Sequence, residues 1–310
     1  MRIIFMGTPE FAIPSLKVIQ NSKHQLLAVI TQPDKPKGRG KKLTPSPVKE
    51  FCLENQLKVL APKNLKSEDF VSELKALNPD LMVVVAFRIL PQGVFSIPPL
   101  GTINLHASLL PKYRGAAPIN WAIFKGEKKT GLTTFFIEKK VDTGNMILQK
   151  GTEIQPEETY GELSQRLSEL GAELILETID QIEKGEVKLL TQDDKEATSA
   201  PKITPELCKI DWSKPAIEIK NLIRGLSPAP GAYTSYQGKP LKIFKAQAVN
   251  DTPNSEGFGE VISADKNKGL EIKTSKGTLR LLELQPQSKR RMKGEEFLRG
   301  YRIKIGDKLE

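Results

Sequence analysis

Leu81-Met82-Val83-Val84-Val85-Ala86-Phe87 is an unbroken apolar run between Asp80 and Arg88. A strand with one wet face alternates apolar and polar residues; one with no polar position is covered on both faces, as in a parallel sheet lying between helices. Two shorter runs nearer the start, Ile3 to Met6 and Leu26 to Ile30, have the same character. Helix signals fall between them. Ser46-Pro47 supplies a cap and a first-turn proline ahead of Phe51 and Leu53, and Ser67 precedes a stretch with Phe70, Leu74 and Leu77 on one side. This alternation predicts an α/β domain with a Rossmann-like, mostly parallel sheet, whose binding crevice lies at the carboxyl ends of the strands.

Further along, a capping box of Thr159 and Glu162 opens the clearest helix. It carries Leu163, Leu167, Leu170, Leu174 and Ile182 on a period of roughly 3.6 residues and should end near Gly185. Thr191 to Ser199 is polar, acidic and without periodicity, which marks a linker. Beyond it, Leu241 to Phe244, Gly259 to Ser263, Leu270 to Thr274 and Thr278 to Leu284 are short apolar or alternating runs separated by Gly, Asn and Lys turns. That spacing predicts a small β-barrel or sandwich. The expected division is a first domain at 1–190, a linker at 191–205 and a smaller second domain at 206–310.

Two domains also suit a chain of 310 residues, because single cores stop growing at about 250 to 300 residues. Cys52 and Cys208 are the only cysteines and have no Cys-x-x-Cys partner, which argues against a disulfide framework or a zinc site and fits a reducing cytoplasm. The opening apolar run is too short for a signal peptide, and none approaches the ~20 residues that span a bilayer. Net charge is +10, unevenly placed: residues 1–200 hold 26 Lys and Arg against 24 Asp and Glu, residues 201–310 hold 21 against 13. A basic C-terminal third suits a polyanion partner, since clustered cations release counterions from phosphates; a basic solvated surface without a partner has the same composition.

Chemistry concentrates in Thr102-Ile103-Asn104-Leu105-His106. As a strand it places Asn104 and His106 on one face. An amide donor can bond a developing oxyanion while an imidazole handles a proton near neutral pH, although the same pair equally serves structural hydrogen bonding. His24 is the other histidine and sits in the polar stretch Asn21 to Gln25, which predicts an exposed side chain. Ser108-Leu109-Leu110-Pro111-Lys112-Tyr113-Arg114-Gly115-Ala116-Ala117-Pro118 follows, where Pro, Gly and small residues make an irregular loop that a ligand can approach closely. Asp142, in Val141-Asp142-Thr143-Gly144, either forms a turn or orients the imidazole.

Asn104, His106, the Ser108 to Pro118 loop and Asp142 together resemble the signature of the folate-dependent formyltransferase family, including its Asn, His and Asp catalytic trio. Phe5-Met6-Gly7-Thr8-Pro9-Glu10-Phe11-Ala12, the Gln32 to Lys42 segment, Ile210-Asp211-Trp212, Ile223-Arg224-Gly225-Leu226, Pro228 to Tyr233 and Glu296 to Gly300 resemble its tRNA-directed members. The resemblance implies transfer of formyl from 10-formyltetrahydrofolate, without a metal, to the α-amino group of initiator methionyl-tRNA. Asn104 would donate to the oxyanion, His106 would donate to the same oxygen or shuttle a proton, and Asp142 would tune His106. Folate would lie along Ser108, Leu109, Leu110 and Pro111, with pterin contacts from Ala86, Phe87, Arg88, Ile89 and Leu90. The family often has Gly at the position of Arg88, so an arginine there would narrow or recharge the folate pocket.

Lys35, Lys37, Arg39, Lys41 and Lys42 form a cationic, Gly- and Pro-containing segment that reads on its own as a solvated loop. The resemblance makes it the insertion that meets the tRNA acceptor stem and makes the second domain an OB-like, tRNA-binding barrel, with Lys289, Arg290, Arg291 and Lys293 its densest cations. A single copy of the chain is the expected working form. Formyltransferases acting on purine-precursor or nucleotide-sugar amines would not require the basic second domain, and a non-catalytic RNA-binding protein would not need Asn104, His106 and Asp142 together. Neither a P-loop lysine, a dinucleotide fingerprint nor Gly-x-Ser-x-Gly around Ser108 is present.

Overall fold

Each of two units has its own sheet in the computed structural model, which describes residues 1–37, 40, 42–265 and 268–310. The first unit gathers residues 1–118, 129–153 and 164–200. Its strands are β1 (Arg2–Gly7), β2 (Gln25–Ile30), β3 (Lys35–Lys37), β4 (Lys42–Thr44), β5 (Val59–Leu60), β6 (Leu81–Val85), β7 (Thr102–His106), β8 (Lys129–Phe136) and β9 (Met146–Glu153). Seven of them form one sheet in the order β5-β2-β1-β6-β7-β8-β9. Pairing is parallel from β5 to β7 and antiparallel at β8 and β9, so the mostly parallel sheet read from the sequence is present. Residues 81–85 are buried at every position, as their unbroken apolar character requires. β6 stops at Val85 because Ala86 turns into the left-handed region at φ 49°.

Helices α1 (Ile13–Gln20), α2 (Pro47–Glu54), α3 (Glu68–Leu77), α4 (Gln92–Phe95) and most of α6 (Tyr160–Lys184) complete this unit, while α5 (Pro118–Phe124) falls almost wholly in the second. The hydroxyl of Ser46 accepts the Lys49 amide as the cap of α2. Ser67 differs from its expected role: its hydroxyl donates to the carbonyl of Asn64 and does not cap α3. The capping box at α6 is formed in both directions, with Glu162 accepting from the Thr159 amide at 2.8 Å and Thr159 Oγ1 accepting from the Glu162 amide at 3.3 Å. Those bonds hold the Glu162 carboxyl below its ordinary range. α6 packs against β7 through Gly171, where a Cβ would come within 2.6 Å of the Leu105 side chain. Leu105 therefore faces the helix, and Asn104 and His106 occupy the opposite face of the strand.

The second unit gathers residues 119–128, 154–163 and 201–310. It contains β10 (Ala232–Tyr236), β11 (Lys239–Ala248), β12 (Val261–Asp265), β13 (Gly269–Lys273), β14 (Thr278–Pro286) and β15 (Met292–Lys293), with α7 (Ala216–Gly225) and α8 (Gly294–Gly300). The sheet runs β10-β11-β14-β13-β12, all antiparallel, with β15 beside β14. The chain end closes it. The amide of Ser235 donates to the Glu310 carbonyl and that of Glu310 to Ser235, while Leu309 donates to Gly259 and Val261 to Asp307. Residues 306–310 thus lie between β10 and β12 and remove both open edges, which leaves a small barrel. Its core is built from Trp212, Ile223, Ile243, Val261, Ile272, Leu281, Leu284 and Phe297 among others.

Candidate active site

β6 and β7 run parallel with Val84 beside Asn104 and Val85 beside Leu105. The register therefore brings Ala86 to Leu90, just past the end of β6, next to the end of β7 that carries His106. This is the carboxyl edge of the sheet, where parallel α/β folds place ligands. β8 supports it from the other side, with Asn104 opposite Phe135 and His106 opposite Thr133. The Phe135 ring meets the His106 ring edge-on at 6.5 Å between centroids.

His106 is 5% exposed, and its Nε2 lies 2.8 Å from the carbonyl oxygen of Tyr113. Its Nδ1 faces Asp142 Oδ2 at 3.8 Å, inside ion-pair range and beyond hydrogen-bond range. Asn104 is partly exposed, and its carboxamide has no hydrogen-bond partner among the described residues. A partnerless amide beside a ring whose two nitrogens face oxygen acceptors is not a closed structural network. It leaves the Asn104 donors free for a solute on that face of β7.

The loop after β7 is held by hydrogen bonds to the carbonyls of Ser108, Leu109, Leu110, Lys112 and Tyr113. Ser108 is fully buried; its hydroxyl donates to the Lys112 carbonyl at 2.6 Å, and its carbonyl accepts from Thr133 Oγ1 at 2.7 Å. Gln149 Nε2 donates to the Leu110 carbonyl and to Thr133 Oγ1, each at 2.9 Å. The Leu110-Pro111 peptide is cis, and Tyr113 is left-handed at φ 61°. Leu109 and Pro111 are half-buried, Leu110 buried. At the end of β6, Ala86 is exposed, Phe87 half-buried and Leu90 buried, whereas Ile89 is 76% exposed. Arg88 donates to the carbonyls of Pro62 and Lys63 and stacks over Phe87 at 5.2 Å. Its charge is thereby tied to the neighbouring loop, and partial burial lowers its pKa from the usual arginine range.

Asp142 sits in the left-handed region at φ 54°. Its Oδ2 accepts the Gly115 amide at 2.9 Å. Thr191 to Ser199, which composition alone marks as linker, is bonded together with Ala200 into this corner of the first unit. Thr198 Oγ1 accepts the Tyr113 amide, the Thr198 carbonyl accepts the Arg114 amide, and Ala200 exchanges bonds with Arg114 and Ala117. Gln192 bridges Arg114 to the Asp142 turn. Sequence reasoning missed Tyr113, Thr133, Gln149 and Gln192. The strand-like run Thr133 to Ile137, β-branched and aromatic, was a usable signal; nothing local singles out Gln192.

Among the cationic residues, Lys35, Lys37 and Lys42 lie on the β3–β4 ribbon, where Lys35 pairs with Thr44 and Lys37 with Lys42; Lys35 and Lys42 are exposed. Arg39 and Lys41 lie outside the described residues. The base of the ribbon is tied to α2 by Lys49 Nζ, which donates to both carboxylate oxygens of Asp34 at 2.8 and 2.9 Å. Lys289, Arg290, Arg291 and Lys293 are all exposed around β15 of the second unit. Arg290 pairs with Glu296 and Arg291 with Glu283, and the Arg291 guanidinium also lies over the Phe244 ring at 4.3 Å. Lys289 and Lys293 have no acidic partner among the described residues.

His24, expected to be exposed, has a fully buried side chain. It stands with Asp180 and Glu183, their ligand atoms within 4.8 Å of one another. Lys23 lies 2.7 Å from Glu183 and 3.1 Å from Asp180, and the amino terminus 3.1 Å from Glu183. Hydrogen bonds from these two ammonium groups hold the Glu183 carboxyl at about 2. Cations already balance both carboxylates, so the cluster is an ion-pair network that closes the far end of α6 onto β2.

Family models described as formyl transferase and as formyl transferase, C-terminal domain match residues 1–179 and 202–302. A methionyl-tRNA formyltransferase of Caldanaerobacter subterraneus is 48% identical over 312 residues and covers 100% of both chains. Among solved structures, a methionyl-tRNA formyltransferase from Clostridium thermocellum aligns with a TM-score of 0.58 at 20% identity, covering 80% of this chain and 94% of that one. HypX from Aquifex aeolicus, in complex with tetrahydrofolic acid, aligns at 0.64 and 20% identity, covering 96% of this chain and 47% of that one. No described helix is long and apolar enough to cross a membrane.

Proposed function

This chain belongs to the formyl transferase family, and from that premise we propose how it works. It transfers a formyl group from 10-formyltetrahydrofolate to the α-amino group of methionyl-tRNA, giving the N-formylated form used to initiate translation. The amine nitrogen attacks the formyl carbon, a C–N bond forms and the formyl oxygen takes up negative charge. Collapse of that tetrahedral intermediate breaks the bond to folate N10, which gains a proton as the amine loses one.

The free carboxamide of Asn104 donates to the oxyanion, a task worth roughly 3 kcal/mol in comparable sites. His106 acts once Nε2 exchanges the Tyr113 carbonyl for substrate, since hydrogen bonds of this kind tighten only in the reacting complex. Asp142, beside Nδ1, orients the ring and faces the positive charge that passes over it. Folate lies along Ser108 to Pro111, a loop that its own bonds hold still, and the pterin meets Ala86 to Leu90, where exposed Ile89 offers apolar surface to a flat ring. The committed Arg88 guanidinium narrows this pocket more than it recharges it.

Exposed Lys35 and Lys42, with Lys37, Arg39 and Lys41, meet the acceptor end of initiator tRNA, and Lys289, Arg290, Arg291 and Lys293 hold its phosphates. The site draws all its side chains from the first unit of one chain, so a single copy in the cytoplasm suffices. The observation that carries this reading is the free Asn104 amide beside the His106–Asp142 pair, in a chain matched from end to end by its 48% identical relative. Formyl transfer should be measured to methionyl-tRNA, free methionine and a small amine-bearing nucleotide. Rapid transfer confined to the charged tRNA is expected; transfer only to a small amine would discard the tRNA assignment.

A further inference from the structure

The carboxylate of Asp142 is useful only if its turn holds an unfavourable shape. A non-glycine residue at φ 54° is strained and persists where surrounding groups over-determine it. The next turn residues allow little relaxation, since a Cβ on Gly144 would fall 1.8 Å from the Phe136 carbonyl oxygen. What fixes the turn from outside is Gln192, 7% exposed, fifty positions away in sequence. Its Nε2 donates to the carbonyl of Asp142 at 3.0 Å and to that of Gly144 at 2.8 Å.

Only one orientation of that amide is allowed. Its Oε1 accepts from Arg114 Nε at 3.0 Å and Nη2 at 2.8 Å, and guanidinium nitrogens donate only. Arg114 is itself anchored by Asp194 Oδ1 at 2.6 Å from Nη1. The two residues after Tyr113 close the circle: the Arg114 side chain sets Gln192, and the Gly115 amide holds Asp142 Oδ2. One side-chain amide thus ties the Asp142 backbone to the loop whose Tyr113 carbonyl holds His106.

We propose that Gln192, locked by Arg114, is a positioning residue for formyl transfer: its amide donors hold the left-handed Asp142 turn so that the carboxylate stays beside His106. This rests on the catalytic reading of Asp142. Gln192 touches neither substrate and acts on the chemical step alone, because misplacing a catalytic group by about 1 Å can cost on the order of 100-fold.

The test uses the full chain with two substitutions. Gln192→Ala removes both ends of the bridge; Gln192→Glu keeps an acceptor for Arg114 but has no amide donors, so it spares the fold if only the Arg114 pairing matters for folding. Both variants should lose roughly 10- to 100-fold in kcat with KM for methionyl-tRNA and for 10-formyltetrahydrofolate within about 2-fold of the original. In an Asp142→Asn background, Gln192→Glu should then cost less than about 2-fold more, because residues acting through one another are non-additive. Unchanged kcat in Gln192→Glu, or a full further loss on top of Asp142→Asn, overturns the positioning role and leaves the catalytic reading standing. Normal kcat in Asp142→Asn alone overturns both.

Discussion

The corner around His106 and the exposed cations Lys35, Lys42, Lys289 and Lys293 are held in opposite ways. His106 is buried and met by Tyr113 and Asp142, while Gly115, Thr133, Gln149 and Gln192 fix the turns around it. Lys35, Lys42, Lys289 and Lys293 are exposed, with no hydrogen bond or acidic partner holding their ammonium groups among the described residues. Chemistry needs groups fixed within tenths of an ångström, and binding a polyanion needs charge that can follow phosphates. Changes in the first region should therefore move kcat, and changes in the second should move KM and its salt dependence.

The largest expected effect that would sharpen this contrast is His106→Ala, which should lower kcat by roughly 10²- to 10⁴-fold, the range for a positioned proton-transfer group. KM for tRNA should stay put, and a KM effect with normal kcat would dissolve the distinction. Smaller is the paired change Lys289→Ala with Lys293→Ala. It should raise KM for tRNA several-fold, leave kcat alone, and reduce the slope of log affinity against log salt by roughly one unit per lost phosphate contact. Arg290→Ala with Arg291→Ala should do less, since Glu296 and Glu283 already compensate those charges; an effect larger than that of the lysines would reverse the ranking.

Smallest is a stability change away from both regions. Glu162 is held below its ordinary pKa by the Thr159 bonds, so its contribution is present above the usual glutamate range and lost as pH falls through the depressed folded value. Glu162→Gln should thus lower thermal stability by about 1 kcal/mol or less near neutral pH and by nothing in strong acid, as read by melting at each pH.

These regions also differ in how far the sequence discloses them. Buried strands announce themselves: Leu81 to Val85 has no polar position because neither face is wet, and Thr159 with Glu162 marks the start of α6 locally. Asn104 and His106 were legible as a pair because strand geometry puts alternate residues on one face, and Asp142 read locally as either a turn former or an imidazole partner, a choice that the family resemblance decided. The role of Gln192 was hidden, because its partners lie fifty and seventy-eight positions away and its neighbours have a linker's polar composition. The last barrel segment escaped for a related reason. Residues 306–310 pair with β10 and β12, which only the closed sheet brings to them. The β3–β4 ribbon pairs Lys35 with Thr44, Pro36 with Leu43 and Lys37 with Lys42, and neither Lys nor Pro signals a strand.

The most direct test of the division between fixed chemistry and exposed charge is single-turnover formyl transfer by Asn104→Ala, with the tetrahydrofolate dissociation constant measured on the same preparation. Loss of one oxyanion donor should slow transfer by roughly 10²- to 10³-fold while folate binds as it does to the unsubstituted chain. Transfer at a near-normal rate, or a loss that tracks weakened folate binding, would contradict it.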